Sequence, residues 1–139
     1  MLVVGTNMTP VCSPRLLKRH AIASPGDLGQ FNLLHTTPDR RDWTSWLAEF
    51  ASGEVDPTSG ETFPILDMAI QAAVMAQGVA MGDLTLLTDE VKTGKLVCPF
   101  PDMVLRLDAD NYYAYGPSTK WNKPRVLAFR QWLEVVARD

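Results

Sequence analysis

The sequence predicts an α/β fold with a mixed, mostly parallel sheet flanked by helices. Three observations point there. Segments with strand character alternate with segments of helical period. The strand-like runs are almost continuously apolar, the pattern of strands covered on both faces. A chain of 139 residues, 46% of them hydrophobic, is long enough to fill one sizeable core.

Taken in order, Ser13 followed by Pro14 is an N-cap with proline at the first helical position, which predicts a short helix from Pro14 to about His20. Ser24 and Pro25 repeat that signal. Phe31 to His35 reads as a buried strand, closed by the breaker Thr36-Thr37-Pro38-Asp39. Asp39 and Asp42 both offer N-caps to a helix whose stripe is Trp43, Trp46, Leu47 and Phe50, ending near Gly53. Residues 54–60 are a turn-rich loop, and Glu61 to Ile65 forms a short strand that Pro64 ends or marks as an edge.

Asp67 lies in the first turn of a helix over Met68 to Gln77, stopped by Gly78 as a left-handed C-cap. Val79 to Gly82 is a buried strand. Leu84, Leu87 and Val91 mark a short helix ending at Gly94, and Leu96 to Phe100 is the strand after it. Val104 to Leu107 fits either class. Asp108 to Asn111 reads as a turn before a strand over Tyr112 to Gly116. Asn122 caps a final helix with Pro124 inside it and a stripe of Val126, Phe129, Leu133 and Val136, broadened by Leu127 and Trp132.

Composition excludes several functions. The 13 basic and 16 acidic residues give a net charge of -3, which argues against a surface built to neutralise phosphates. Cys12 and Cys98 cannot build a disulfide framework, and no Cys/His spacing suits a metal, so a reducing cytoplasm, no metal and no cofactor are expected. The opening MLVVGTNMTP has no basic start, and its apolar run stops at Gly5, too short for a signal-peptide core. Met68 to Gly82 is interrupted by Gln71 and Gln77 and is too short to span a membrane.

Several stretches in fixed order resemble the effector-binding domain of the LysR-type transcriptional regulators, in particular the glycine-cleavage-activator-like subgroup. They are PVCSPRLL at 10–17, Asp27-Leu28 with Leu33-Leu34-His35, Asp42-Trp43 with Trp46-Leu47, AIQAA at 69–73 and GVAMG at 78–82. GKLVCPF at 94–100, Tyr112-Tyr113 with Pro117, and VLAFRQWL at 126–133 complete the series. The resemblance spans about residues 8 to 136. It implies a periplasmic-binding-protein-like (type II) architecture, two α/β lobes joined by crossover strands with a small ligand between them. Residues 8–12 would be the first crossover strand, 13–110 the second lobe, and 111–139 the returning strand and last helix of the first lobe. The family places a winged helix-turn-helix, a linker helix and most of the first lobe ahead of the part matched here. The chain is therefore expected to be a piece of a regulator: a truncated gene product, a misassigned start or an excised segment.

Candidate ligand-binding residues follow from both arguments. Open α/β sheets bind ligands at the carboxyl ends of strands, and the resemblance puts the second lobe's share of the cleft there. Thr36 and Thr37 offer hydroxyls that donate to a carboxylate, the start of the next helix favours an anion, and Trp43 offers a flat apolar wall. The plainer reading makes the threonines turn residues and Trp43 core. His35 is either an effector contact that titrates near neutrality or a structural histidine. Phe63 flanks the Ala-rich helix, while Asp67 beside it is explained by the helix dipole. The resemblance adds Tyr113 and, more weakly, Thr9, both on crossover strands. Cys12 and Cys98 read as buried small residues, with no neighbouring base to activate them.

The implied function is ligand sensing within a LysR-type regulator, without catalysis. The effector would be an organic acid or amino acid, and DNA would be reached only through the winged helix-turn-helix that this chain does not contain. A homodimer or higher oligomer is expected, because a partly built lobe exposes apolar surface. The alternatives are a stand-alone ligand-binding or dimerisation module, and a small α/β enzyme using Ser13, Cys98 or His35. The enzyme reading lacks a G-x-S-x-G elbow, a phosphate-binding loop and a G-x-G-x-x-G turn.

Overall fold

The computed structural model describes residues 1–107 and 111–137. The chain divides into two compact units, Asn7–Leu105 and a second made of Met1–Thr6 with Arg106–Asp139.

The Asn7–Leu105 unit contains strands β2 (Met8–Val11), β3 (Leu33–His35), β4 (Glu61–Thr62) and β5 (Val79–Asp83), numbered after β1 (Leu2–Val4) of the other unit. They form one sheet in the order β2-β5-β3-β4. β3 runs parallel to both β4 and β5, with Leu34 opposite Glu61 on one side and Ala80 on the other, while β2 is antiparallel to β5. This is the expected mixed sheet. Its helices are α1 (Pro14–Arg19), α2 (Arg41–Phe50), α3 (Leu66–Val74) and α4 (Thr88–Lys92), with a 3-10 turn over Pro25–Gln30.

Alternation along the strands splits the core into two layers. Leu33, Val79 and Met81 pack on one face against Leu16, Leu28, Trp43, Trp46 and Leu47. Val11, Leu34 and Ala80 pack on the other against Ala69, Ile70 and Ala73 of α3. The aromatic stripe of α2 therefore faces inward, as its spacing predicts, and the small residues of α3 let that helix lie close to the sheet. Ser13 caps α1 by accepting the Arg15 N–H at 3.2 Å.

Four expectations for this unit are corrected. Gly78 is not left-handed; Ala76 takes the positive φ, at 61°, after α3. Gly78 is needed instead for close approach, since a Cβ there would stand 2.2 Å from the Asn32 carbonyl oxygen. Leu96 to Phe100 is not a strand, because only Val97 pairs, in a single bridge to Cys12. The expected strand at Glu61 to Ile65 shrinks to an exposed edge pair, and α4 covers only the last part of the stretch from Leu84 to Gly94.

In the other unit β1 pairs antiparallel with β6 (Tyr112–Tyr113), shorter than the strand expected to Gly116. β1 and the short α5 (Ser118–Trp121) were not legible as elements. The last helix, α6 (Pro124–Val136), has Pro124 in its first turn as expected, but its N-cap is Lys123, and Asn122 closes α5. α6 has no buried residue among those described. The first three positions of the expected Asp108–Asn111 turn lie outside the described residues. No helix among the described residues is long and apolar enough to cross a membrane.

Candidate functional site

Because β3 and β5 are adjacent and parallel, their carboxyl ends open on one edge of the sheet. β3 ends at His35, the chain turns through Thr36 to Arg40, and α2 starts at Arg41. Arg40 adopts φ 57°, the left-handed conformation that lets the chain reverse into the helix. Pro38 cannot donate a backbone hydrogen bond, which suits its place in this turn.

Asp42, buried in the first turn of α2, organises the loop. Its Oδ2 accepts from the Thr36 N–H at 2.9 Å and from the Thr36 hydroxyl at 2.7 Å. Its Oδ1 accepts from the Trp43 N–H at 2.8 Å and, more weakly, from the Thr37 hydroxyl at 3.4 Å. A carboxylate at this helix start is also favoured by the backbone dipoles. The donors predicted to receive a ligand carboxylate are thus occupied by one belonging to the chain. The threonines face the predicted edge and remain half-buried, but what they offer is oxygen lone pairs, because their protons are given to Asp42.

His35 lies beneath this loop, fully buried. Its Nε2 is 2.6 Å from the Ser59 carbonyl oxygen, which can only accept, so Nε2 carries the proton. Nδ1 then faces Asp42 Oδ1 at 3.6 Å, beyond hydrogen-bond length, and has no partner. His35 therefore makes no hydrogen bond to Asp42, and direct effector contact is corrected by its complete burial.

Two further candidates are corrected by burial. Trp43 has no exposed surface and its indole N–H donates to the Leu34 carbonyl at 3.2 Å, so it is core and offers no wall. Thr9 is also fully buried, its hydroxyl 3.2 Å from the Phe100 carbonyl and 3.1 Å from that of Met103. Phe63 is half-buried beside the edge, where its N–H donates to the His35 carbonyl at 3.0 Å. Tyr113 belongs to the other unit, is 42% exposed and stacks near Tyr115.

Sequence reasoning missed two residues. Asp42 was weighed only as a helix cap, although a Thr-Thr pair ahead of an acidic first-turn residue is a legible signal for such a cluster. Asp83, which closes β5 at the same edge, was not singled out. It is 2% exposed and its Oδ1 accepts from the N–H groups of Asn7 and Thr85, each at 3.0 Å.

The thiols and hydroxyls named for an enzyme are otherwise engaged. Burial, with the nearby Cys98 as a smaller cause, pushes the Cys12 thiol up to about 12, and burial raises Cys98 as well. Neither is poised as a thiolate. Ser13 is spent on its cap. Among the described residues no group of three His, Cys, Asp or Glu side chains is arranged to hold a metal.

Comparison with known proteins agrees with this fold. The chain is 33% identical to the glycine cleavage system transcriptional activator of Escherichia coli (strain K12), over 91% of its own length and 41% of that protein's. It is 34% identical to the HTH-type transcriptional regulator DsdC of the same organism, over 94% of this chain and 43% of DsdC. The chain thus spans well under half the length of these curated relatives. Among solved structures, a triply substituted effector binding domain from Citrobacter freundii matches with a TM-score of 0.80 and 25% identity, covering 99% of this chain and 67% of that one. The AmpR effector binding domain from Citrobacter freundii shares the fold at a TM-score of 0.77 and 23% identity, with 99% and 66% covered. The model of the family described as LysR substrate binding domain matches residues 3–137, and the chain belongs to that family.

Proposed function

We propose that this chain is the effector-sensing part of a LysR-type transcriptional regulator and that it binds a small organic acid or amino acid at the carboxyl edge of β3 and β5. The observation that carries this reading is the half-buried Thr36–Thr37 pair, held at the strand end by the buried Asp42. Thr36 and Thr37 contact the effector, Asp42 positions them, and Phe63 flanks the edge. Tyr113 remains a candidate on the resemblance alone. In this reading residues 13–110 are the second lobe of the sensing domain, and control of transcription belongs to the intact protein, through its winged helix-turn-helix. The protein works in the cytoplasm and catalyses no reaction; its family is one of regulator domains rather than an enzyme class.

The test is a thermal-shift screen of small organic acids and amino acids. A ligand present at one hundred times its Kd stabilises by about 2.7 kcal/mol. The expected result is a rise in Tm with one chemical class that the double variant Thr36→Ala/Thr37→Ala loses. If no compound of either class raises Tm, the reading fails.

Self-association is the second part of the proposal, favoured by the exposed Phe129, Trp132 and Val135 of α6. Light scattering across concentrations is expected to give a dimer or larger species. A monodisperse monomer at every concentration would remove this part and favour an autonomous binding module.

A further inference from the structure

His35 sits between two acceptors. Its Nε2 is 2.6 Å from the Ser59 carbonyl oxygen and its Nδ1 is 3.6 Å from Asp42 Oδ1, with both side chains buried. The neutral ring has one proton and the carbonyl claims it, so at Nδ1 a nitrogen lone pair meets a carboxylate lone pair and no bond forms between them. A buried acceptor left in this way is costly. Only the doubly protonated ring satisfies both sides, because an imidazolium donates from each nitrogen.

The charges around the ring favour that second proton. Asp42 faces it from α2. Asp83, at the end of β5, lies on the same sheet face, since Leu33 and Val79 are directly paired and alternation carries from them to His35 and Asp83. Asp56 belongs to the loop that supplies Ser59, and Glu61 to β4; both are exposed. The cation on this side is Arg40, whose Nε donates at 3.2 Å to the hydroxyl of Thr62, the β4 partner of His35. Arg41 is turned to solvent beside Asp39, and Asp67 belongs to α3, which covers the opposite face. Burial opposes the charged ring, and a carboxylate at this distance supports it.

A charge-assisted N–H to carboxylate bond is about 2.7–2.9 Å long, so protonation of Nδ1 draws Oδ1 toward the ring. Oδ1 now holds the Trp43 N–H at 2.8 Å and the Thr37 hydroxyl at 3.4 Å, and the longer bond yields first. The bonds of Thr36 are made to Oδ2 and remain. The Thr37 hydroxyl has a second acceptor within reach, the Asp39 carboxylate, which is held below its ordinary pKa of 3.8 first by the Arg41 N–H and then by this hydroxyl. We infer that His35 and Asp42 form a proton-operated latch on the loop after β3: a second proton, taken from solvent at Nδ1, bonds to Asp42 Oδ1, and the Thr37 hydroxyl passes from Asp42 to Asp39. The proton reaches the buried ring through brief local openings of the half-buried loop. The latch needs no effector and is tested without one, apart from the site proposed above.

The experiment is an NMR titration of the 139-residue chain from about pH 8 to about pH 5, following the ring nitrogens of its two histidines and the backbone amides. His20 is exposed and serves as the internal comparison. The expected result is that His35 Nε2 stays protonated throughout, that Nδ1 passes from unprotonated to protonated, and that the Thr37 and Trp43 amides shift with the same midpoint. Asp42→Asn, which removes the charge and keeps an oxygen, should lower the His35 midpoint by about one pH unit or more and leave His20 where it was. If this variant does not fold, the titration of the unsubstituted chain decides. A His35 Nδ1 still unprotonated at the acid end overturns the latch. So does protonation that leaves the Thr37 and Trp43 amides unmoved, or a midpoint that Asp42→Asn does not change.

Discussion

The unit formed by Asn7–Leu105 holds all of the buried hydrophobic side chains among the described residues, whereas the unit made of 1–6 and 106–137 holds none and exposes Tyr115, Phe129 and Trp132. The two do not differ in the quality of their apolar residues. They differ in layers. The first has a four-stranded sheet with helices on both faces, so each apolar stripe meets a partner surface. The second has a two-stranded ribbon and two helices, and a ribbon of that size has little surface with which to bury a helix. Burial is thus decided by what an element is packed against, and amphipathic spacing alone supplies only half of it.

The sharpest way to break this comparison is to truncate one tryptophan in each unit. Trp46 is fully buried, stacks on Phe50 and Phe100, and its indole N–H donates to the Met103 carbonyl at 2.9 Å. Trp46→Ala should cost about 3–5 kcal/mol in urea unfolding. Trp132, 56% exposed on α6, should cost no more than about 0.5 kcal/mol when replaced by alanine. A loss of about 2 kcal/mol or more at Trp132 that grows with protein concentration would show that α6 is covered in solution by a second copy.

Asp42 comes next. It is 7% exposed and gathers the donors of Thr36, Thr37 and Trp43. Asp42→Ala leaves those donors without their acceptor and should cost about 1–3 kcal/mol, with faster hydrogen exchange at the Thr36 amide. Asp42→Asn, which keeps one carbonyl oxygen, should cost less. Equal costs for the two variants would mean that the charge, and not the hydrogen bonds, holds the loop.

These effects also show what the sequence could and could not tell. The alternation of elements and the inward stripe of Trp43, Trp46 and Leu47 were legible because local spacing determines them. The strand ending at His35 and the loop that follows it were legible for the same reason. The contacts within that loop were not. Whether a Thr hydroxyl points to a ligand or to Asp42 depends on a turn in which Arg40 is left-handed, and no residue type demanded that conformation there. Trp43 and Thr9 were misread because burial at 0% is a tertiary outcome. Leu96 to Phe100 has the composition of a strand, yet beyond the Val97 bridge the described residues give it no strand partner, so composition did not become structure.

Glycine substitutions sharpen the contrast at smaller cost. A Cβ on Gly78 would lie 2.2 Å from the Asn32 carbonyl oxygen, which also accepts the Val79 N–H and so fixes β5 against β3. Gly78→Ala must move backbone and should cost about 1–3 kcal/mol. In the other unit a Cβ on Gly5 stands 3.3 Å from the Asn111 Oδ1 that accepts the Thr6 N–H, and that side chain needs to give by only a few tenths of an ångström. Gly5→Ala should change stability by less than about 0.5 kcal/mol in the same urea titration. A larger loss at Gly5 than at Gly78 would mean that the sparse unit tolerates less rearrangement than the packed one, the reverse of what the layer argument requires.

The smallest expected effect lies on the surface of the packed unit and asks whether exposed polar contacts there add anything to its layers. Asp27 is half-buried at the surface, and its carboxylate accepts from the N–H groups of Ser24 at 2.9 Å and Ala23 at 2.8 Å ahead of the Pro25–Gln30 turn. The Ser24 and then the Ala23 backbone bonds hold it below its ordinary pKa of 3.8. A carboxyl depressed on folding contributes stability that is present above the unfolded value and is lost as pH falls through the lower folded one. The Tm difference between the unsubstituted chain and Asp27→Asn should therefore be small and constant from neutrality down to about pH 5, shrink below the ordinary value of 3.8, and vanish once the carboxyl is protonated. A difference that persists at the lowest pH would trace the effect to the shape of the cap instead of its charge. A difference of zero at neutral pH would leave the stability of this unit to its two buried layers alone.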